Sequence, residues 1–180
     1  LGVFCIIDDA YADFIPVEES AVNLGPDYKC MISVRTFSKG FGLAGLRAGY
    51  IITQKELVKI IGRLSNPYMM GTVSRTLTSA ILTNPTQPWQ HGMDFAIIKG
   101  ALRDACGNKI IMAETDDRVP ICTLRHIDET VDLQEYLMKE NVLTCSGVEF
   151  EPLGKNCVRL RVPTLAEAGK LISAFKKLAE

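Results

Sequence analysis

The run Val3-Phe4-Cys5-Ile6-Ile7, apolar at every position and closed by Asp8 and Asp9, constrains the fold more than any other stretch of the chain. Successive side chains of a β-strand point to opposite faces. A strand with no polar alternation therefore fits best where both faces are covered, as in the parallel sheets of α/β proteins. In open sheets of that kind ligands collect at the carboxyl ends of the strands, where Asp8 and Asp9 stand. A second strand is expected over residues 31–37, leading directly into Ser38-Lys39, and a third over residues 48–53. The stretch between the first two, broken by Pro16 and Gly25-Pro26, reads as loop, with Asp9 and Asp13 as surface charges.

Helical patterning follows. Thr53 and Glu56 have the spacing of a capping box, which predicts a helix over residues 54–64 stopped by Asn66-Pro67. A second helix is expected over residues 71–84, ending at Asn84-Pro85, and a long one over residues 87–114. From residue 118 the pattern changes to strand 119–124, helix 132–141, strands 142–146 and 157–162, and a closing helix from Thr164 with Glu167 as its capping partner. This last part reads as a compact α+β unit. A boundary is accordingly expected near residue 115, with the long helix bridging residues 1–115 and 116–180.

Bulk properties narrow the function classes. Twenty basic and 21 acidic residues leave a net charge of −1, so no basic face favours nucleic acid or an anionic membrane. No apolar run has the length of a membrane span, and the start of the chain has no basic leader, which predicts a soluble cytoplasmic protein. The six cysteines contain no C-x-x-C spacing and only His91 and His126 could join them at a metal, so buried free thiols and no metal site are expected. Both histidines read as surface or hydrogen-bonded partners.

The segment "RTFSKGFGLAGLRAGY" holds a G-x-G-x-x-G at Gly40, Gly42 and Gly45. A dinucleotide fingerprint needs a helix opening on those glycines, whereas "LRAGYIIT" reads as a strand, so the nucleotide reading lacks its context. Lys39 remains. A lysine in a partly dry pocket can act as an amine nucleophile toward an aldehyde, and pyridoxal phosphate is the commonest such aldehyde.

"IIDDAYADF" followed by "RTFSKGFGLAGLRAGY" resembles the active-site core of the fold-type I pyridoxal-phosphate aminotransferases, most of all the histidinol-phosphate aminotransferase group. The resemblance implies that Asp8 pairs with the pyridine nitrogen and keeps the ring an electron sink, that Tyr11 touches the ring oxygen, and that Lys39 is the covalent lysine and proton carrier. It assigns Ser38 and Arg47 to the cofactor phosphate. Downstream, "VEFEPLG" and "CVRLRVPTLAEAGKLISAF" resemble the family's small domain, in which a strand arginine grips the substrate carboxylate. That residue is Arg159, with Arg161, two positions on and facing the same way, as the alternative.

The fold implied is α/β: part of the aminotransferase large domain, a three-layer α/β/α arrangement, plus a C-terminal α+β small domain. The activity implied is transfer of an amino group between an amino acid, with histidinol phosphate or an aromatic amino acid as candidates, and a 2-oxo acid. The full-length protein would be a homodimer. Only the C-terminal half of the family is represented. The preceding half supplies a glycine-led phosphate turn, an aromatic stacked on the ring and an asparagine at its oxygen. Two departures bear on substrate: Pro67-Tyr68 is followed by Met69-Met70-Gly71, and the strand "DRVPICTL" lacks the group's Asn-Phe. A phospho-amino-acid decarboxylase on the same core, and a catalytically silent interaction module, are therefore open alternatives.

Overall fold

In a computed structural model the protein is described for residues 2–24, 28–83, 88 and 90–179. It divides into two compact units, Leu1–Gln90 and His91–Glu180.

The first unit is built on three strands, β1 (Cys5–Asp8), β2 (Met31–Thr36) and β3 (Gly49–Thr53), in the order β1-β2-β3. β1 and β2 are parallel with Asp8 opposite Val34, and β2 and β3 are antiparallel with Thr36 opposite Gly49. A side chain at position 49 is excluded sterically, since a Cβ there would lie 2.8 Å from the Arg35 carbonyl oxygen. Along β2 the buried positions alternate as Met31, Ser33 and Arg35, so one face of the strand carries polar groups into the interior. β1 departs from the expectation of cover on both faces: Ile6 is 71% exposed, and Val3 and Phe4 just before the strand are exposed too. It is an edge strand, paired only with β2 among the described strands.

The unit continues with α1 (Lys55–Leu64) and α2 (Thr72–Thr83). The expected capping box at Thr53 does not form. Thr53 is the last residue of β3, paired opposite Ile32, and that register delivers its hydroxyl to the Met31 carbonyl (2.6 Å), leaving Gln54 at the N-cap. α1 buries no residue and α2 buries only Thr78. The expected stop of the second helix at Asn84-Pro85 lies outside the described residues.

The second unit comprises α3 (Gln90–Ala105), β4 (Ile110–Met112), β5 (Ile121–His126), α4 (Leu133–Lys139), β6 (Cys145–Ser146), β7 (Cys157–Arg161) and α5 (Ala168–Ala179). Its sheet runs β4-β5-β7-β6, antiparallel throughout. Ile98 and Leu102 of α3, Leu124 of β5, Leu133 and Leu137 of α4, Val158 of β7 and Phe175 of α5 form one buried core. α3 thus groups with this unit, ahead of the boundary expected near residue 115.

The long helix expected over residues 87–114 is corrected: it ends at Ala105. Gly107 turns the chain at φ +52°, a left-handed conformation that costs glycine little, and Ile110-Ile111 join the sheet opposite His126 and Arg125. α4 starts as its sequence suggests, with the Asp132 carboxylate accepting from the Glu135 backbone N–H (2.9 Å). α5 starts later than Thr164, whose hydroxyl donates to Glu167 (3.0 Å) across a turn that precedes the helix. Buried thiols are found at Cys106, Cys122 and Cys157, but Cys5 and Cys145 are exposed, which corrects the uniform expectation; all six are free. Among the described residues no helix is long and apolar enough to cross a membrane.

Candidate functional site

The register of the first unit's sheet gathers the candidate residues at one end. Asp8 closes β1, Ser38 and Lys39 follow β2, which runs parallel to it, and Arg47 precedes β3, whose first residue pairs with the last of β2. Asp8 is exposed, and its Oδ1 accepts from the Ala10 backbone N–H (3.1 Å), which fixes the turn leading to Tyr11. Tyr11 opens a 3-10 turn at Ala12–Phe14 whose Ala12 and Phe14 are buried. The Lys39 Nζ lies 5.7 Å from the centroid of the Tyr11 ring, the range in which an ammonium is drawn to an aromatic face. Tyr11 and Lys39, 28 positions apart in sequence, are therefore brought together by the fold.

Ser38 and Arg47 are each fixed by a local hydrogen bond. The Thr36 hydroxyl meets Ser38 Oγ at 2.9 Å and the Ser38 backbone N–H donates back to Thr36 Oγ1 (3.1 Å). Arg47 is exposed and sits in the left-handed region at φ +49°, while its Nη1 donates to the Ala44 carbonyl (3.0 Å). A non-glycine residue held there stores local strain, a feature that concentrates at functional turns. Of the three glycines in the segment, Gly42 needs its type for a φ of +68° and Gly40 for a close approach to Asp13; Gly45 has open space around it.

Beneath these residues is a polar layer that the sequence reading did not find. Asp9 accepts from Ser33 Oγ (2.8 Å) and Ser20 Oγ (3.2 Å). Ser20 in turn accepts from Arg35 Nη1 (3.2 Å), and Arg35 Nη2 forms an ion pair with Asp13. Ser20, Ser33 and Arg35 are buried and the Asp13 carboxylate is nearly so, which corrects the reading of Asp9 and Asp13 as surface charges. The signal was present in β2: Ser33 and Arg35 fall on the face shared by Met31, and an arginine facing inward requires a carboxylate. Burial pushes the Tyr50 phenol above its ordinary value; nearby Arg35 opposes this, while Asp13 and Asp9 add to it.

The second unit carries Arg159. It sits on β7 opposite Thr123 and Cys145, half-buried, with its guanidinium 5.4 Å from the centroid of the Phe150 ring. Arg161 shares its side of the strand and is exposed, while Val158 and Leu160 enter the core. Lys99, also missed, is wholly buried on α3. Its Nζ donates to Thr115 Oγ1 (3.1 Å) and to the Asp116 carbonyl (2.9 Å), and burial pushes its ammonium down from the ordinary value. Those partners make it a clasp for the segment after β4. No group of three metal-ligating side chains occurs among the described residues.

The sequence profile described as "Aminotransferase class I and II" matches residues 1–175. The histidinol-phosphate aminotransferase of Haemophilus influenzae strain PittEE is 25% identical over 187 residues, which cover 96% of this chain and 49% of that protein. The histidinol-phosphate aminotransferase of Thermococcus gammatolerans is 39% identical over 71 residues, 39% of this chain and 20% of that one. Among solved structures, the histidinol-phosphate aminotransferase from Clostridium acetobutylicum superposes with a TM-score of 0.82 at 21% identity, covering 98% of this chain and 54% of that chain. The L-threonine-O-3-phosphate decarboxylase from Porphyromonas gingivalis gives 0.78 at 22% identity, covering 96% and 54%. At these identities the two structures speak to fold, and they place the chain in the α/β class of that architecture. The chain spans about half the length of the curated relatives it matches.

Proposed function

Since the chain belongs to the class I and II aminotransferase family, we propose that its protein is a pyridoxal-phosphate-dependent aminotransferase, moving an amino group between an amino acid and a 2-oxo acid. The observation that carries this reading is the pairing of the Lys39 amine with the Tyr11 ring at the end of the sheet where Asp8 closes β1. The donor set suits the cofactor: an amine for its aldehyde, a carboxylate for its ring nitrogen, a phenol for its ring oxygen, and a hydroxyl and guanidinium for its phosphate.

When bound, the cofactor supplies an electron-withdrawing ring that stabilises negative charge at the substrate α-carbon. The chain's own groups do the rest. Lys39 Nζ would bind the aldehyde at rest and, once free, would carry the proton taken from the substrate α-carbon. Asp8 would hold the proton on the ring nitrogen, and Tyr11 would orient the ring by its hydroxyl. Ser38 and Arg47 fix the phosphate, where the planar fork of Arg47 suits a dianion. Arg159 receives the substrate carboxylate, and Phe150 beneath its guanidinium limits the directions it can take.

The amino donor we propose is an amino acid, with histidinol phosphate and the aromatic amino acids as the candidates, acted on by a soluble homodimer. The decarboxylase from Porphyromonas gingivalis has a similar fold, so loss of carbon dioxide from a phospho-amino acid is the competing reaction. Two measurements test the reading. Pyridoxal phosphate followed by borohydride should leave a pyridoxyl label on Lys39 that disappears in Lys39→Ala; no label at Lys39 refutes the assignment. With substrate, a 2-oxo acid product without carbon dioxide supports transfer, and carbon dioxide release supports the decarboxylase. Replacing Arg159 by Lys should raise KM for the amino acid about tenfold or more, and Arg161→Lys should not.

A further inference from the structure

We propose that the buried Arg35–Asp13 ion pair is a positioning clamp that fixes the Tyr11 turn and the Lys39 turn against each other. The proposal rests on the cofactor reading of Lys39 and Tyr11 given above. Asp13 lies two residues past Tyr11, and Arg35 four residues before Lys39, so the pair ties together the two segments that carry those groups. The Asp13 side chain also wedges against the backbone next to the lysine: a Cβ on Gly40 would lie 2.5 Å from Asp13 Cβ and 3.0 Å from its Oδ2. One carboxylate thus touches the strand arginine on one side and the residue after Lys39 on the other.

The surroundings leave this geometry little freedom. The Tyr11 turn is pinned by the Ala12 N–H donating to Asp9 (3.0 Å) and by buried Phe14. The Lys39 turn is pinned by buried Phe37, whose N–H donates to Ala48 (3.2 Å) and whose carbonyl accepts from Leu43 N–H (3.0 Å). Arg35 is 9% exposed, yet its Nε has no hydrogen-bond partner among the described residues. An apolar pair of similar volume would fill such a site at less cost in desolvation. A buried ion pair that accepts an orphaned donor is better explained by the direction in which it holds its neighbours than by the stability it contributes.

The test uses the protein at its natural length with pyridoxal phosphate as the probe. The lysine amine adds to the aldehyde carbon with loss of water, and borohydride delivers hydride to fix the new C–N bond. The readouts are the rate of Lys39 labelling by peptide mass, the visible circular dichroism per bound cofactor before reduction, and the melting temperature. Asp13→Asn, and separately Gly40→Ala, should slow labelling about tenfold, the scale of a sub-ångström to ångström misplacement of a reacting group, and change the dichroism per cofactor. In a Tyr11→Phe background most of the Asp13→Asn effect should vanish, because the clamp acts through Tyr11. Gly40→Ala removes neither charged group but forces the Asp13 side chain to move, so it carries the same comparison if Asp13→Asn does not fold. Unchanged labelling and dichroism in the folded variants, or an equal slowing with and without the tyrosine hydroxyl, overturns the clamp. An unlabelled Lys39 in the unaltered protein overturns the cofactor reading and the proposal with it.

Discussion

The two units use their interiors differently. The second encloses a continuous apolar core drawn from α3, α4, α5 and its sheet, with Leu102, Leu124, Leu137 and Phe175 fully buried. Among its described residues the first buries only a few apolar side chains, Phe14, Met31 and Phe37 being the largest, and gives much of its interior to polar groups, Ser20, Ser33, Arg35, Thr78 and the Asp13 carboxylate. Its helices α1 and α2 leave Val58, Ile60, Leu64, Val73 and Leu82 exposed. Apolar surface of that extent calls for cover, and the chain spans about half the length of the curated relatives it matches. The second unit is thus organised around its own stability, and the first around holding a few polar groups in place.

Truncating a core side chain should show the contrast at its strongest. Phe175→Ala is expected to destabilise the second unit by about 3–5 kcal/mol, whereas Leu64→Ala, at a position 82% exposed, should change stability by about 0.5 kcal/mol or less. Urea unfolding measures both, and equal costs would break the comparison. In the first unit the corresponding weak point is polar: Arg35→Met strands the Asp13 carboxylate and should cost about 3 kcal/mol, most of it recovered in the double variant Arg35→Met/Asp13→Leu. Failure of the second change to rescue would mean that the pair is not the organising contact.

Thiols sharpen the comparison further. Cys5 and Cys145 are exposed and should react with a maleimide within minutes at neutral pH, while Cys106 and Cys122 should react only when the second unit opens. Burial pushes the Cys106 thiol up to about 12 and the Cys122 thiol up to about 11, from an ordinary value of 9.0. Both acids keep their protons longer in the folded state. Their contribution to stability is therefore complete below pH 9 and is lost as pH rises toward 11 and 12, which thermal melts across that range would detect. The smallest effect belongs to the surface: Lys139→Ala removes the exposed i,i+4 pair with Glu135 and should cost about 0.3–0.5 kcal/mol or less.

The sequence made legible what depends on local pattern. The strands ending at Asp8 and Thr36, the helices after Gln54, Gly71 and Asp132, and the strand-end positions of Asp8, Ser38 and Lys39 followed from periodicity and turn residues, while Arg47 came from the family resemblance alone. What escaped depends on partners distant in the chain. Thr53 has the spacing of a cap, but the pairing of β3 with β2 offers its hydroxyl a carbonyl 22 residues away. Asp13 and Arg35 are likewise 22 residues apart, and nothing near either one announces the other. Residues 106–114 have a pattern that a helix could continue, but Gly107 turns left-handed and Ile110 and Ile111 pair with β5, a strand lying beyond the reach of local pattern. Arg159 was placed on its strand by pattern, while its ring partner Phe150 comes from the turn before β7.

The position of β1 at the margin of its sheet has a further, colloidal consequence. One side of the strand pairs with β2, and the other presents a row of backbone donors and acceptors next to Phe4 and Ile6. Such a margin is a template on which another extended segment can add, including the same strand of a second molecule. Purified at high concentration, the 180-residue chain should gather into β-rich oligomers in proportion to its concentration, and a lysine in place of Ile6 should keep it dispersed.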